Sequence, residues 1–166
     1  YETAHAWAAA LQIDGPSCMV LTRQTLPNIP VEKRASIDVV RGAYVLSDDK
    51  DFDVVLIATG SETMLAYEAA EQLRAKGRLV RVVSMPSWEL FLAQDAKYQE
   101  SVLPAKCRKR VSIEAGSTFG WQKFTGSDGL CLGVDHFGDS APAGVIAQKY
   151  GLTADAVTQK VEAYLG

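Results

Sequence analysis

A strand, a helix and a second strand follow one another near the middle of the chain, and they constrain the fold more than any other stretch. Residues 53–58 are β-branched and aliphatic after one aspartate, and turn formers bound them, which predicts a strand buried on both faces. From Leu65 to Leu73 apolar residues recur at helical spacing, which predicts an amphipathic helix ending at Gly77. Residues 79–83 predict the second strand. A helix between two parallel strands makes a right-handed crossover, so the stretch predicts one βαβ unit.

Strands and helices also alternate through the rest of the chain. A short strand at 43–46 is separated from the βαβ unit only by a polar turn. Because so short a connection cannot carry a parallel crossover, we expect this first strand to be antiparallel and at an edge. The prediction is an α/β fold, three-layer α/β/α, with a mixed, mostly parallel sheet of about five strands. Further strands are predicted at 111–114 and 130–134, and helices within 88–101, at 121–125, at 142–150 and after Thr153.

The first 36 residues follow a less regular pattern. Helical spacing predicts a helix over residues 2–12, and Cys-Met-Val-Leu-Thr at 18–22 predicts a buried strand. From residue 25 to residue 36 prolines and charges replace this pattern, which predicts a linker at a domain boundary. The sequence opens at Tyr1 with a helical pattern already running, so we expect a piece of a longer protein.

Composition excludes several classes of partner. The chain has 166 residues, of which 48% are hydrophobic and 22% charged, as is ordinary for one globular domain or a domain with a piece of another. Its net charge of -3 offers no basic surface, so we expect no nucleic-acid partner. No apolar run approaches the roughly 20 residues of a membrane span, so we expect no membrane partner and a cytoplasmic location. Cys18, Cys107 and Cys131 lack C-x-x-C spacing and are predicted to be reduced thiols.

The turn Thr-Gly-Ser-Glu at 59–62 joins the first strand of the βαβ unit to its helix. A glycine turn in this place is able to offer backbone N–H groups and a positive helix end to a phosphate. The turn matches neither G-x-G-x-x-G nor a P-loop, and Glu62 would put negative charge where the phosphate would lie. The spacing from Thr59 to Glu62 favours a capping box instead.

Serine and histidine are often catalytic or metal-binding residues in other proteins, but here their sequence context favours a structural role. Ser117 follows a strand but is not in a nucleophile elbow, because alanine and phenylalanine occupy the two glycine places. We therefore interpret residues 115–121 as a turn. His5 and His136 are the only histidines, and neither has the spacing of a metal site.

Arg23 differs from these residues because it stands directly after the predicted strand at 18–22. Ligands of open parallel sheets bind at the carboxyl ends of strands. A guanidinium offers a planar fork of donors that suits phosphate oxygens. The pattern leaves two interpretations open: Arg23 binds a phosphate, or it pairs with a carboxylate at the domain boundary.

Seven segments resemble, in one order, the motifs of a known enzyme family. Residues 21–27 (LTRQTLP) are similar to L-[ST]-R-Q-x-L-P. The others are GAYVL at 42–46, IATGSE at 57–62, RVVSMP at 81–86, YQESVLP at 98–104, EAG at 114–116 and FGDSAP at 137–142. Together they span nearly the whole chain and resemble the C-terminal part of transketolase.

The resemblance implies a function for the full-length enzyme. It would be a homodimer that uses thiamine diphosphate and Mg or Ca to move a two-carbon ketol unit from a ketose phosphate to an aldose phosphate, in the pentose phosphate pathway. Residues 1–33 would be the last helix and strand of the middle, pyrimidine-binding domain plus the linker, and 34–166 the C-terminal domain.

The same resemblance implies how the roles are divided. The family's arginine for the substrate phosphate falls on Arg23. None of the family's catalytic, cofactor-binding or metal-binding residues falls on this chain, so the isolated fragment would bind no cofactor and be inactive.

Two alternatives remain beside this interpretation. One is a related thiamine enzyme, either the β subunit of a 2-oxo acid dehydrogenase or a deoxyxylulose phosphate synthase. The other is a non-catalytic regulatory module that binds an anion at residues 59–62.

Overall fold

The computed structural model describes residues 1–166 and contains one five-stranded sheet in the order β1-β3-β2-β4-β5. Strand β1 pairs antiparallel with β3, and all other neighbouring strands are parallel. The predicted α/β class and the antiparallel edge strand are therefore confirmed. The strands are β1 Tyr44–Ser47, β2 Val54–Ala58, β3 Val80–Ser84, β4 Arg110–Ile113 and β5 Leu130–Leu132.

Helices cover both faces of this sheet and make three layers. Side chains of α2 and α7 share a buried cluster with one face, and side chains of α3, α4 and α5 share a second cluster with the other. None of the seven α-helices has the length and hydropathy needed to cross a membrane. The helices are α1 Glu2–Gln12, α2 Glu62–Ala75, α3 Trp88–Leu92, α4 Ala96–Val102, α5 Gln122–Thr125, α6 Ala143–Tyr150 and α7 Ala154–Leu165, with 3₁₀ turns at Val31–Ser36 and Val39–Arg41.

The βαβ unit is β2, α2 and β3, as predicted. Every residue of β2 is buried, and its side chains alternate between the two clusters, with Val54 and Leu56 in one and Val55 and Ile57 in the other. A strand that supplies both cores cannot alternate with polar residues, which explains its continuous apolar run.

The capping box predicted at the start of α2 is wrong. The N-cap is Ser61, which has helical backbone angles and makes no side-chain capping bond. Gly60 turns the chain with a φ of 54°, and the Thr59 carbonyl accepts from the Glu62 N–H at 3.2 Å. Thr59 thus lies two residues before the cap, so it is not placed to make the reciprocal bonds of the box with Glu62.

The strand predicted at 18–22 is also wrong. These residues form no strand, and Val20 is 93% exposed. The edge strands of the sheet are β1 and β5, and neither pairs with this segment. An apolar run forms a ladder only where another strand accepts it. The linker, in contrast, is partly ordered, because it contains the 3₁₀ turn Val31–Ser36 and the buried Ile29.

Helix α1 is attached to the sheet through a carboxylate. Oε1 of Glu2 accepts hydrogen bonds from Tyr44 Oη at 2.8 Å and Ser84 Oγ at 2.5 Å. Both donors are buried. Burial, together with the charge of Glu2, raises the pKa of Tyr44 well above its ordinary value. The carboxyl end of β3 is therefore covered by the start of the chain.

Candidate functional site

Arg23 lies on an exposed segment and lines an open cavity of about 550 Å³. The Thr22 hydroxyl accepts from the Gln24 N–H at 3.2 Å, so the backbone bends at Arg23. None of the salt bridges of the chain involves Arg23, so the carboxylate partner considered above is not found within this chain. The residues around the cavity are Leu21, Thr22, Arg23, Gln24, Ala141 and Ala143.

The second wall of this cavity comes from the far end of the sequence, where a loop enters α6. That loop contains Asp139, whose carboxylate accepts from Lys149 Nζ and from Tyr150 Oη, both at 2.7 Å. These two hydrogen bonds lower the pKa of Asp139, the one from Lys149 most. The ring of His136 packs edge-on against Tyr150, with centroids 4.9 Å apart. These contacts hold the loop against α6, and the carboxylate of Asp139 is hydrogen-bonded to side chains of that helix.

Acidic side chains, and not a guanidinium, lie at the carboxyl ends of β2 and β4, where ligands of open α/β sheets usually bind. Burial raises the pKa of Glu62, and the negative charge of Glu114 adds to this, against a hydrogen bond from the Ala115 N–H. Glu114 in turn accepts from Trp121 Nε1 at 2.5 Å. Two carboxylates therefore lie near each other at this edge of the sheet.

These residues do not fit thiamine diphosphate or its metal. A diphosphate needs cations or free N–H groups, whereas this edge holds two carboxylates. No group of three or more metal-ligating side chains occurs in the chain. We therefore derive no reaction step through the cofactor from these residues.

The hydroxyls after β4 also have structural partners. Ser117 Oγ and Thr118 Oγ1 donate to the Asp135 carboxylate at 3.0 and 2.7 Å. These bonds lower the pKa of Asp135, with Thr118 contributing most. His136 faces the Phe137 carbonyl at 2.8 Å and not a serine. The interpretation of this stretch as a turn agrees with these contacts.

Two features of the site were missed by sequence reasoning. The proximity of Ala141 and Ala143 to Arg23 joins segments more than a hundred residues apart, and no local pattern signals it. The proximity of Glu62 and Glu114 could have been predicted, because each follows a parallel strand and such strands end at one edge.

The fold and the site define the class of protein: an α/β domain with a mixed sheet, an acidic strand-end edge and an unpaired guanidinium at a cavity. Residues 42–153 match the family model described as Transketolase-like TK C-terminal domain. The chain belongs to this family.

Known proteins similar to this chain are transketolases. The chloroplastic transketolase of Craterostigma plantagineum is 50% identical over 160 residues, which are 94% of this chain and 30% of that protein. The transketolase of Pichia stipitis in complex with sedoheptulose 7-phosphate has a TM-score of 0.86 at 32% identity, over 99% of this chain and 24% of that one. A split gene transketolase, described as an inactive β4 tetramer, has a TM-score of 0.68 at 26% identity, over 86% of this chain and 48% of that one. The chain thus spans less than a third of the length of the first two.

Proposed function

We propose that this chain is the C-terminal part of a transketolase and that Arg23 binds the phosphate of its sugar substrates. The whole enzyme would transfer a two-carbon ketol unit from a ketose phosphate to an aldose phosphate, in the pentose phosphate pathway. The observation that carries this proposal is the guanidinium of Arg23, which lines a cavity without any acidic partner, in a chain of the transketolase family.

Arg23 suits this role chemically. A guanidinium presents two parallel N–H donors to a pair of phosphate oxygens. Such a charge-assisted hydrogen bond contributes about 1.5 to 3 kcal/mol. Asp139, two residues before Ala141, is held by Lys149 and Tyr150, and no acidic side chain lines the cavity, which leaves Arg23 available to an anion.

The remaining functions would be divided between this chain and the rest of the enzyme. We assign residues 1–33 to the end of the middle, pyrimidine-binding domain and the linker, and 34–166 to a structural C-terminal domain. Thiamine diphosphate and Mg or Ca would be held elsewhere in a homodimer, because the acidic edge formed by Glu62 and Glu114 opposes a diphosphate. The isolated chain would then be inactive, and the inactive split gene transketolase supports this.

The cellular location that we propose is the cytoplasm. A cytoplasmic enzyme agrees with the composition, whereas the relative from Craterostigma plantagineum is described as chloroplastic.

Substitution of Arg23 in the full-length enzyme tests the phosphate contact. We expect Arg23→Ala to raise KM for phosphorylated substrates about tenfold to a hundredfold, because one charge-assisted contact is lost. The KM for an unphosphorylated substrate such as glycolaldehyde should stay within about twofold. Steady-state kinetics of ketol transfer with both substrate types measure this.

The matched control is Arg108→Ala. Arg108 is exposed, pairs with Asp128 and does not line the cavity, so its loss should leave both KM values unchanged. Equal losses for phosphorylated and unphosphorylated substrates in Arg23→Ala would contradict a phosphate role.

The other functions considered have less support. The LTRQTLP motif at 21–27 favours transketolase over a 2-oxo acid dehydrogenase β subunit or a deoxyxylulose phosphate synthase, and a ketol-transfer assay of the full-length protein separates them. A regulatory anion site at residues 59–62 is disfavoured, because the carboxylates of Glu62 and Glu114 lie where the anion would bind.

A further inference from the structure

We propose that Glu2 holds the middle and C-terminal domains of the full-length enzyme together, through a hydrogen-bond network that crosses between them. The network consists of Glu2 in α1 and of Tyr44, Ser84 and Thr63 in the C-terminal domain. The inference rests on the proposed function, because it takes α1 to end the middle domain and residues 34–166 to form the C-terminal domain. It gives an interdomain role to a residue outside the cavity at Arg23.

The two side chains that bind Glu2 directly come from neighbouring strands. Tyr44 of β1 and Ser84 of β3 are partners in the antiparallel register, so their side chains leave the sheet side by side. Both donate to the same oxygen, Oε1 of Glu2, at 2.8 and 2.5 Å. A carboxylate oxygen has two lone pairs, so one oxygen accepts both hydrogen bonds. A single group of α1 is therefore bonded to two strands.

The network continues from β3 into the first turn of α2. Thr63 Oγ1 lies 3.4 Å from Ser84 Oγ, and both residues are buried. Ser84 has one hydroxyl proton and donates it to Glu2, so Thr63 is the donor of the second bond. All the hydrogen bonds of the network therefore point towards Glu2, which is its terminal acceptor.

The apolar contacts of α1 with the sheet are small. Ala9 is buried and Ala6 packs against the same cluster, on the face of the helix that also carries Glu2. Each alanine buries a single methyl group, which contributes far less than a buried leucine would. The larger side chains Trp7 and Leu11 are 55% and 81% exposed on the opposite face. The network of Glu2 therefore adds a directional attachment where hydrophobic packing is limited.

Contacts of Arg34 in the linker depend on the position of α1. Nη1 of Arg34 donates to Tyr1 Oη at 2.8 Å, and the guanidinium lies 3.8 Å above the Tyr1 ring. Tyr1 directly precedes Glu2, so it moves with the start of the helix. Detachment of α1 should remove these contacts and make the 3₁₀ turn Val31–Ser36 more accessible to proteases. Cleavage in this turn is therefore a measure of the attachment.

The test introduces Glu2→Ala, and separately Glu2→Gln, into the full-length enzyme and follows limited digestion with trypsin by mass spectrometry. In Glu2→Ala we expect cleavage after Lys33 and Arg34 to become about tenfold faster, because the buried Tyr44 hydroxyl loses its acceptor and detached conformers become more populated. Glu2→Gln keeps an acceptor oxygen, and its amide group can face solvent because residue 2 is half-buried. It should be cleaved at nearly the wild-type rate.

Two further variants show whether Glu2 acts through this network. Glu68→Ala, the same change at an exposed position of α2, should leave cleavage unchanged. Tyr44→Phe keeps the ring but removes the donor that depends on Glu2. In the Tyr44→Phe background, Glu2→Ala should accelerate cleavage by less than about threefold, because Ser84 can then donate to Thr63 and no buried donor is left without an acceptor.

Faster cleavage that is confined to the linker, and that Glu2→Gln prevents, would support the inference. Unchanged cleavage in Glu2→Ala, or equally fast cleavage in Glu2→Ala and Glu2→Gln, would show that it is wrong. Cleavage spread through residues 44–166 would also contradict it, because Glu2 would then stabilise the C-terminal domain itself. None of these outcomes depends on phosphate binding, so the proposed function fails only if Arg23→Ala does not discriminate against phosphorylated substrates.

Discussion

A few charged residues give two parts of this chain opposite preferences for anions. The acidic edge of the sheet repels anions, and the cavity at Arg23 can attract them. Glu62 and Glu114 lie near each other at the carboxyl ends of β2 and β4, and Arg23 stands unpaired elsewhere. The usual ligand-binding edge of an α/β sheet is therefore unsuited to phosphate here. The residues at the strand ends, and not the fold, determine whether this edge can bind a phosphate.

The carboxyl of Glu62 should make folding stability depend on pH. Its pKa in the folded state is raised above the ordinary value of 4.5 by burial and by Glu114, so the folded state binds the proton more tightly than the unfolded state does. Stability should then fall as pH rises from 4.5 through the folded pKa. Glu62→Gln should remove this loss, and urea unfolding between pH 4 and pH 7.5 measures it.

The informative quantity is the difference in free energy of unfolding between the two proteins at each pH. As pH rises from 4.5 through the folded pKa of Glu62, the free energy of unfolding of the variant should increase relative to that of the wild type. Glu68→Gln, an exposed change on the same helix, is the control and should show no such trend. A difference that is independent of pH would contradict the assignment.

Among the elements, α1 is attached to the sheet through the carboxylate of Glu2. Its Glu2 accepts from Tyr44 and Ser84, which are both buried and belong to β1 and β3. The neighbouring residues add a second attachment, since Arg34 lies 3.8 Å above the ring of Tyr1 and donates to its hydroxyl. The helix is therefore linked to the sheet by polar contacts as well as by the buried Ala9.

Removing the carboxylate should loosen this attachment. Glu2→Ala removes the acceptor of the buried Tyr44 hydroxyl, whereas Ser84 Oγ keeps its contact with Thr63 Oγ1 at 3.4 Å. A buried donor left without an acceptor costs about 1 to 3 kcal/mol. Chemical denaturation gives the loss in free energy of unfolding. Hydrogen exchange of the α1 amides should be faster in the variant than in the wild type, and that of the β2 amides should change less. The exposed Glu68→Ala should change stability by less than about 0.5 kcal/mol.

The elements also show where sequence reasoning succeeds. The βαβ unit was predictable because the apolar spacing of α2 and the continuous run of β2 are local consequences of burial. The strand expected at 18–22 failed because an apolar run does not reveal whether another strand pairs with it. The wall of Ala141 and Ala143 could not be predicted, since its proximity to Arg23 arises only from the tertiary fold.

At the scale of the whole molecule, the chain forms a complete three-layer sheet structure but only part of a proposed active enzyme. Both faces of the sheet are covered, and two buried clusters stabilise them. The chain spans about 30% of the relative from Craterostigma plantagineum. Folding and catalysis are therefore expected to be separable here.

The 166-residue chain should fold without binding thiamine diphosphate. We expect a cooperative unfolding transition, and no micromolar binding when thiamine diphosphate and Mg are titrated calorimetrically, because the acidic edge opposes a diphosphate. A full-length transketolase is the positive control. Micromolar binding to the chain would contradict the proposed division of roles.

The edges of the sheet have a consequence for solubility at high concentration. Exposed strand edges are templates on which other chains pair and aggregate. Here β1 has four residues, with a register shift between Val45 and Ser47, and β5 has three residues. Short and irregular edges leave little length for intermolecular pairing. The sheet is therefore expected to resist fibril-like assembly through its edges.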